Sequence, residues 1–147
     1  MIASTLLALL RARHADDVFV DECKSGPTQL TEHERIDAWV MAKSWAHPMV
    51  TGYEIKVSRG DFLRDQKWQR YLPMCNALYF VCPAKLIAPN ELPDDVGLMW
   101  ASMTGSRLYT KKRAKPRDVT IPEDVWRYIL MSRVRITREQ FTSANKR

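Results

Sequence analysis

The chain has 147 residues, of which 46% are hydrophobic and 27% charged, and it carries a formal net charge of +6. The length predicts one domain with a core of its own. The composition is that of a soluble protein, and no apolar run approaches the roughly 20 residues that cross a bilayer. The opening MIASTLLALLRARH places its arginines after the apolar stretch and has no small-residue cleavage site, so an amphipathic helix in a cytoplasmic protein is favoured over a targeting signal.

The positive charge is concentrated toward the C-terminus. Residues 104–147 hold twelve Lys or Arg against four Asp or Glu. Such an imbalance is typical of proteins with a polyanionic partner such as nucleic acid, although basic residues also serve solubility alone. The cysteines, Cys23, Cys75 and Cys82, are too few and too scattered for a disulfide framework or a zinc site.

The first half of the chain predicts one helix and three strands. The helix covers Ile2 to about Arg13, with Leu6, Leu9 and Leu10 on one face. A short strand follows around Val18–Val20, then a Gly-Pro loop, and a second strand lies within RIDAWVMAKSW. His47 and Pro48 mark the turn into the third strand, roughly Met49–Val57.

The second half predicts two helices, a buried strand and a hairpin. Ser58 is the expected N-cap of a helix that runs through DFLRDQKWQRYL and stops at Pro73. NALYFVCP is apolar on both faces, as in a central strand, and GLMWAS and RLYTKKR flank the turn of a hairpin. The last helix runs from Glu123 to about Arg135, with Val125, Ile129 and Met131 to Val134 facing the core.

This order of elements predicts a single α/β domain over residues 1–147, with a mixed β-sheet flanked by helices and a basic, frayed end at about 136–147. The five tryptophans lie in element-like segments, where core packing is expected. His14, His33 and His47 share no periodic face, so surface or turn positions are expected for them.

Three ionisable residues recur at positions that suggest chemistry. Glu54 and Lys56 alternate with Tyr53 and Ile55 along the third strand, so they share one face. If the second and third strands pair through the turn at 43–49, Asp37 comes near Glu54 on that face. Two carboxylates in a dry site repel unless a cation lies between them, and oxygen ligands suit Mg²⁺ or Mn²⁺. A lone Glu-x-Lys is otherwise a common solvated pair worth well under about 1 kcal/mol.

Cationic residues near this strand predict contacts with a phosphodiester backbone. Arg64, Lys67 and Tyr71 share a face of the predicted helix, and Arg59 stands at its start. The run KKRAKPR, which begins with Lys111, Lys112 and Arg113, is either a solvated loop or a further phosphate contact.

A strand with Asp, a strand with Glu-x-Lys, a helix and an apolar strand resemble the restriction-endonuclease-like core of the PD-(D/E)xK nuclease superfamily. More narrowly, EIKVSRGDFLRDQKWQRYLPMCNALYFVCP is similar to the MmcB-like family of bacterial DNA-repair proteins, with a likeness over about residues 1–113. The resemblance implies Asp37 and Glu54 as metal ligands and Lys56 as the catalytic lysine. Many members carry another acidic ligand upstream; Glu22 is the candidate and Asp21 its rival.

Two departures from the superfamily pattern are visible. Ile36 stands where a proline precedes the aspartate, and Lys67 with Tyr71 resembles the Q-x-x-x-Y feature of RecB-like members with lysine in place of glutamine. The second departure leaves the role of Lys67 open while backbone binding remains expected.

The functional hypothesis is therefore a Mg²⁺- or Mn²⁺-dependent deoxyribonuclease that acts in DNA repair or processing, with little base readout. The alternative is a catalytically weak or inactive DNA-binding or adaptor module on the same fold. We expect DNA as the partner, no membrane, and room for a homo-oligomer or a protein partner. A third hypothesis, an unrelated α/β domain, predicts that Asp37 and Glu54 lie on different faces of the sheet.

Overall fold

The computed structural model describes residues 1–26 and 34–135, and its centre is one six-stranded sheet. The strands follow each other in space in the order of the chain. They are β1 (Val18–Lys24), β2 (Arg35–Met41), β3 (Val50–Ile55), β4 (Ala77–Pro83), β5 (Gly97–Ala101) and β6 (Leu108–Lys112).

The sheet is mixed. β1, β2 and β3 pair antiparallel, β3, β4 and β5 pair parallel, and β6 returns antiparallel to β5. Because β3, β4 and β5 run in the same direction, their carboxyl ends meet at one edge of the sheet. The predicted α/β class with a mixed sheet flanked by helices is confirmed.

Helices cover both faces of the sheet. They are α1 (Ala3–Arg13), α2 (Arg59–Arg64) and α3 (Glu123–Ser132), with 3-10 turns over Trp68–Met74 and Pro89–Glu91. On one face α1 buries Leu6 and Leu10 against Ala38, Val40, Tyr53 and Val81. On the other face α3 buries Val125 and Ile129 against a cluster that includes Trp39 and Leu78.

Two expectations about the core are wrong. Met131 and Val134 are exposed, because Met131 lies on the side of α3 away from the buried Val125 and Ile129, and Val134 follows the end of the helix at Ser132. Trp45 is fully exposed at the turn between β2 and β3, because the strand predicted to reach it ends at Met41. Residue type alone cannot tell a strand residue from a turn residue here.

The helix predicted to run from Ser58 to Leu72 is two segments. α2 stops at Arg64, and the chain resumes as a 3-10 turn at Trp68 that contains Pro73. The side chain of Asp65 accepts hydrogen bonds from the backbone N–H groups of Lys67 (2.8 Å) and Trp68 (3.1 Å). An aspartate that binds backbone N–H groups in this way competes with the helical pattern and ends it.

Two sequence-based predictions concern residues that the structure does not describe. They are the basic end at 136–147 and the surface position of His33. Within residues 1–26 and 34–135, no helix combines the length and the apolar character that a membrane span requires.

Candidate active site

Asp37 and Glu54 lie side by side where β2 and β3 separate. The last residue pair of these two strands is Ala38 with Tyr53, so Asp37 and Glu54 are the next opposed positions and share a face. Beyond that pair the strands no longer exchange backbone hydrogen bonds. Instead, the N–H of Ile55 donates to Oδ2 of Asp37 at 2.7 Å. The carboxylate of Asp37 thus accepts a hydrogen bond from β3 in place of a backbone carbonyl of β2. This bond holds the carboxylate beside Glu54.

Glu54 is the one charged residue that is buried in the described part of the chain, with 5% of its surface exposed. Burial, together with the adjacent carboxyl of Asp37, raises the pKa of Glu54 to about 10, although the Lys56 ammonium opposes the change. At neutral pH Glu54 therefore keeps its proton, unless a cation replaces that proton.

Lys56 connects this pair to a third carboxylate that the sequence did not indicate. Its Nζ lies 3.7 Å from Oε2 of Glu54 and 2.7 Å from Oδ2 of Asp65. Oδ2 of Asp65 is buried and lies off the angles of a hydrogen bond, so its contact with Lys56 is an ion pair. Aspartate is favoured where a helical segment begins, and this is the signal by which Asp65 could have been found.

An open cleft of about 440 Å³ leads to these residues. It is lined by Glu54, Ile55, Lys56, Asp61, Arg64, Asp65, Gln66, Lys67 and Tyr71. Arg64 and Lys67 are exposed, and Arg64 also pairs with Asp61 at 3.1 Å. The structure thus brings Arg64, Lys67 and Tyr71 to Glu54 and Lys56 as the sequence predicted, although the break at Asp65 places them there and not a continuous helical face.

The family model described as "DNA repair protein MmcB-like" matches residues 27–126. The chain belongs to the MmcB-like family. The resemblance inferred from the sequence is thereby confirmed at the level of the family.

A solved structure shows the same fold. It is the SPO1766 protein of unknown function from Silicibacter pomeroyi, with 25% sequence identity and a TM-score of 0.61. The alignment covers 86% of this chain and 78% of the other. No curated protein matches this MmcB-like chain.

Several residues predicted to bind nucleic acid are engaged elsewhere in the MmcB-like fold. Arg59 pairs with Glu91 and donates to the carbonyl of Leu86 at 2.9 Å. Nζ of Lys112 donates to the carbonyls of Leu92 (3.0 Å) and Pro93 (2.6 Å). These two cations thus bind groups of the protein, and their role as phosphate contacts stays a prediction.

The other two cations of the run KKRAKPR, Lys111 and Arg113, lie in different surroundings. Nζ of Lys111 lies 4.7 Å from the ring centre of Trp100, and Arg113 lines a separate cavity. The run therefore does not act as one patch beside the acidic pair.

Neither upstream acid joins Asp37 and Glu54. Glu22 is exposed and has a positive φ of 47°, an uncommon conformation for this residue type. Asp21 pairs with Arg11 at 3.3 Å and with Arg133, which together hold its pKa below the usual value against the opposing effect of burial. Among the described residues no three His, Cys, Asp or Glu side chains form a group with metal-binding spacing.

The acidic pair nonetheless fits a hard divalent cation in its chemistry. Its donors are carboxylate oxygens, which Mg²⁺ and Mn²⁺ prefer. Burial disfavours the ionised form of Glu54, so a positive partner would stabilise that form. Such a cation would replace the proton that burial keeps on Glu54. Asp37 and Glu54 are therefore the residues that would hold it.

Proposed function

We propose that this MmcB-like protein is a divalent-metal-dependent nuclease that hydrolyses phosphodiester bonds of DNA. One observation supports the proposal most: a buried pair of carboxyl groups, Asp37 with Glu54, is joined by Lys56 at the inner end of an open cleft. Perturbed ionisable groups in a cleft are typical of catalytic sites. The family supplies the setting, DNA repair.

In this proposal Asp37 and Glu54 hold Mg²⁺ or Mn²⁺. The ion supplies Lewis-acid polarisation of the phosphate and activation of a water molecule. The backbone N–H of Ile55 keeps the Asp37 carboxylate in a fixed orientation, because it donates to one of its oxygens at 2.7 Å. Burial of Glu54 keeps bulk water away from the carboxylate pair.

Lys56 acts on the phosphate and on the water. Its ammonium lies between the carboxyl groups of Glu54 and Asp65, so its position is set by these two groups before DNA arrives. From there it orients the attacking water and offsets the charge that develops on the phosphate oxygens. Asp65 is a positioning residue, because it contacts Lys56 and two backbone N–H groups but not the reacting atoms.

Arg64 and Lys67 bind the DNA backbone at the mouth of the cleft. Both are exposed beside Lys56, and contacts of this kind fix the position of a strand without reading its bases. Such binding weakens with salt, because each neutralised phosphate releases counterions.

The test measures cleavage of single-stranded, duplex and branched DNA with Mn²⁺ or with EDTA. We expect cleavage with Mn²⁺ only, and a loss of at least about a hundredfold in Lys56→Met and Glu54→Gln, since each removes a group that acts in the transition state. Lys43→Met and Glu91→Gln are the matched controls, because both remove the same charge from exposed residues outside the cleft. Equal cleavage by all five proteins refutes the site.

One observation favours a second candidate, a DNA-binding or adaptor module without cleavage. Lys56 is already paired with Asp65 at 2.7 Å, and the described residues provide two adjacent carboxylates and no third metal ligand. This candidate predicts salt-sensitive DNA binding that is lost in Arg64→Met and Lys67→Met, with no cleavage under any metal. Metal-dependent cleavage by the wild type rejects it.

A further inference from the structure

A second cavity lies on the opposite face of the sheet from the acidic cleft. It encloses about 480 Å³ beside the C-terminal end of α1, over β3, β4 and β5. Tyr53 and Met99, which line it, belong to the cluster that packs on α1, whereas Glu54 follows Tyr53 and faces the other way. The volume is in the range of sites for small ligands, about 300 to 1,000 Å³. None of the catalytic residues proposed above line it.

The floor of this cavity is aromatic. The rings of Tyr53 and Tyr79 stack with centres 5.8 Å apart and an angle of 27° between their planes. Tyr79 lies across β5 because Gly97 stands beside it: a Cβ at Gly97 would be 2.3 Å from a ring carbon of Tyr79. The neighbouring strands thus hold two tyrosine rings nearly parallel. Tyr53 is buried, with 2% of its surface exposed, and supports the half-buried ring of Tyr79, which is the aromatic surface open to the cavity.

The position of the floor is fixed by a hydrogen-bonded chain from the end of α1. Nε2 of His14 lies 2.6 Å from the hydroxyl of Tyr53, and its Nδ1 lies 2.9 Å from Oδ2 of Asp17. The hydrogen bond from His14 lowers the pKa of Asp17, so that carboxylate is ionised and already has a partner. Asp17 is therefore not available to neutralise the arginines nearby.

Two arginines stand at the walls. Arg13 comes from α1 and donates to the hydroxyl of Thr110 on β6 at 3.4 Å, and Arg113 follows β6 by one residue. Six other arginines of the structure form ion pairs, namely Arg11, Arg59, Arg64, Arg70, Arg127 and Arg133. Neither Arg13 nor Arg113 pairs with a carboxylate within residues 1–26 and 34–135, so both keep guanidinium groups available for an anion.

We propose that this cavity binds a nucleotide, with the base on the ring of Tyr79 and the phosphate between Arg13 and Arg113. Stacking on aromatic rings accepts any base, and guanidinium groups bind phosphate oxygens through paired N–H groups. The nucleotide is either free or an unpaired nucleotide of a DNA strand, since both present the same base and phosphate. This site is independent of the proposed nuclease, because it lies on the other face and uses none of its residues.

The test is calorimetric titration of the whole protein in EDTA, where no metal-dependent cleavage occurs. The probes are deoxyadenosine monophosphate, inorganic phosphate, 5′-phosphorylated pentathymidylate and a blunt DNA duplex. We expect saturable one-to-one binding of the mononucleotide, of the single strand, or of both, tighter than binding of the blunt duplex to the same site. Binding of the mononucleotide identifies the free ligand as a source, and binding of the single strand alone identifies DNA.

Three variants probe the parts of the site. Arg13→Met and Arg113→Met each weaken nucleotide binding about tenfold, which corresponds to about 1.4 kcal/mol. Tyr79→Leu weakens binding of the nucleotide but leaves that of inorganic phosphate unchanged. Arg107→Met is the matched control, because Arg107 is exposed near the same strand but does not line the cavity. Thermal melting verifies that each variant is folded.

Two results overturn the proposal. One is an absence of saturable binding of both the mononucleotide and the single strand. The other is equal binding by Arg13→Met, Arg113→Met and Arg107→Met. Glu54→Gln separates this proposal from the nuclease: it abolishes cleavage if the proposed function is right, and it leaves nucleotide titration unchanged whether or not that function is right.

Discussion

Replacing Glu54 by glutamine is expected to stabilise the metal-free protein, and increasingly so as the pH rises. Burial and Asp37 raise the pKa of Glu54 from its usual 4.5 to about 10. Between these two values the folded protein keeps a proton that the unfolded chain releases. Because the unfolded state then binds fewer protons, the free energy of unfolding falls with pH throughout this window. Glu54→Gln has no such proton, so its free energy of unfolding does not fall with pH for this reason.

The size of the effect follows from the number of protons. One proton held only by the folded state changes the free energy of unfolding by up to about 1.4 kcal/mol per pH unit. From about pH 6 to about pH 8 the wild type therefore loses up to about 3 kcal/mol relative to Glu54→Gln. For a chain of this length that difference corresponds to about 6 to 12 °C in melting temperature.

The assay is thermal melting of both proteins in EDTA at the two pH values, followed by the same measurement with saturating Mg²⁺. In EDTA the gap between the melting temperatures widens toward the higher pH. Mg²⁺ raises the melting temperature of the wild type but not that of Glu54→Gln, because a ligand that binds only the folded state stabilises it. A gap that is constant or narrows with pH refutes the protonated, buried carboxyl.

Glu91→Gln provides a control of opposite sign. Glu91 is exposed, and its pKa is lowered to about 2, chiefly by the hydrogen bond from Arg59. Its ionised form therefore stabilises the fold above its usual pKa of 4.5, and this contribution is lost as the pH falls toward 2. The variant is expected to be slightly less stable than the wild type at neutral pH, with a difference that does not change between pH 6 and pH 8.

Three further substitutions test other contacts. Asp65→Asn keeps the carbonyl oxygen that accepts backbone N–H groups but removes the charge beside Lys56, so kcat of DNA cleavage falls at least about tenfold while KM stays unchanged. Gly97→Ala places a methyl group 2.3 Å from Tyr79 and costs about 1 to 3 kcal/mol in urea unfolding; an unchanged midpoint contradicts the packing. Asn76→Ala removes three side-chain hydrogen bonds and costs about 2 to 4 kcal/mol in the same assay, and a loss below about 0.5 kcal/mol contradicts their importance.

The acidic pair was predictable because it depends on local periodicity and a short connection. Alternation along β3 places Glu54 on one face, and antiparallel pairing through the 43–49 turn brings Asp37 opposite to it. The family likeness of the same stretch supplied the expected roles. Neither step requires knowledge of distant contacts.

The remainder of the site depends on competition between local and tertiary interactions. The pattern from Ser58 to Leu72 is helical in period, but Asp65 binds backbone N–H groups and Lys56 together, which ends the helix. The helical period of a sequence carries no information about a contact such as that between the side chains of Lys56 and Asp65. The cavity that we propose to bind a nucleotide could not be predicted from local patterns, because its walls come from α1 and β6, about a hundred residues apart.

The lysines of β6 have a further consequence for solubility. β6 is the last strand of the sheet in the part of the chain that the structure describes, so no described strand pairs with its outer side. Such an edge can recruit a strand from another molecule and start aggregation, and charged side chains are a common protection against it. Lys111 is an exposed charge on that edge, whereas the ammonium of Lys112 binds the carbonyls of Leu92 and Pro93. Neutralising Lys111 is therefore expected to favour self-association through β6, irrespective of any contact with DNA.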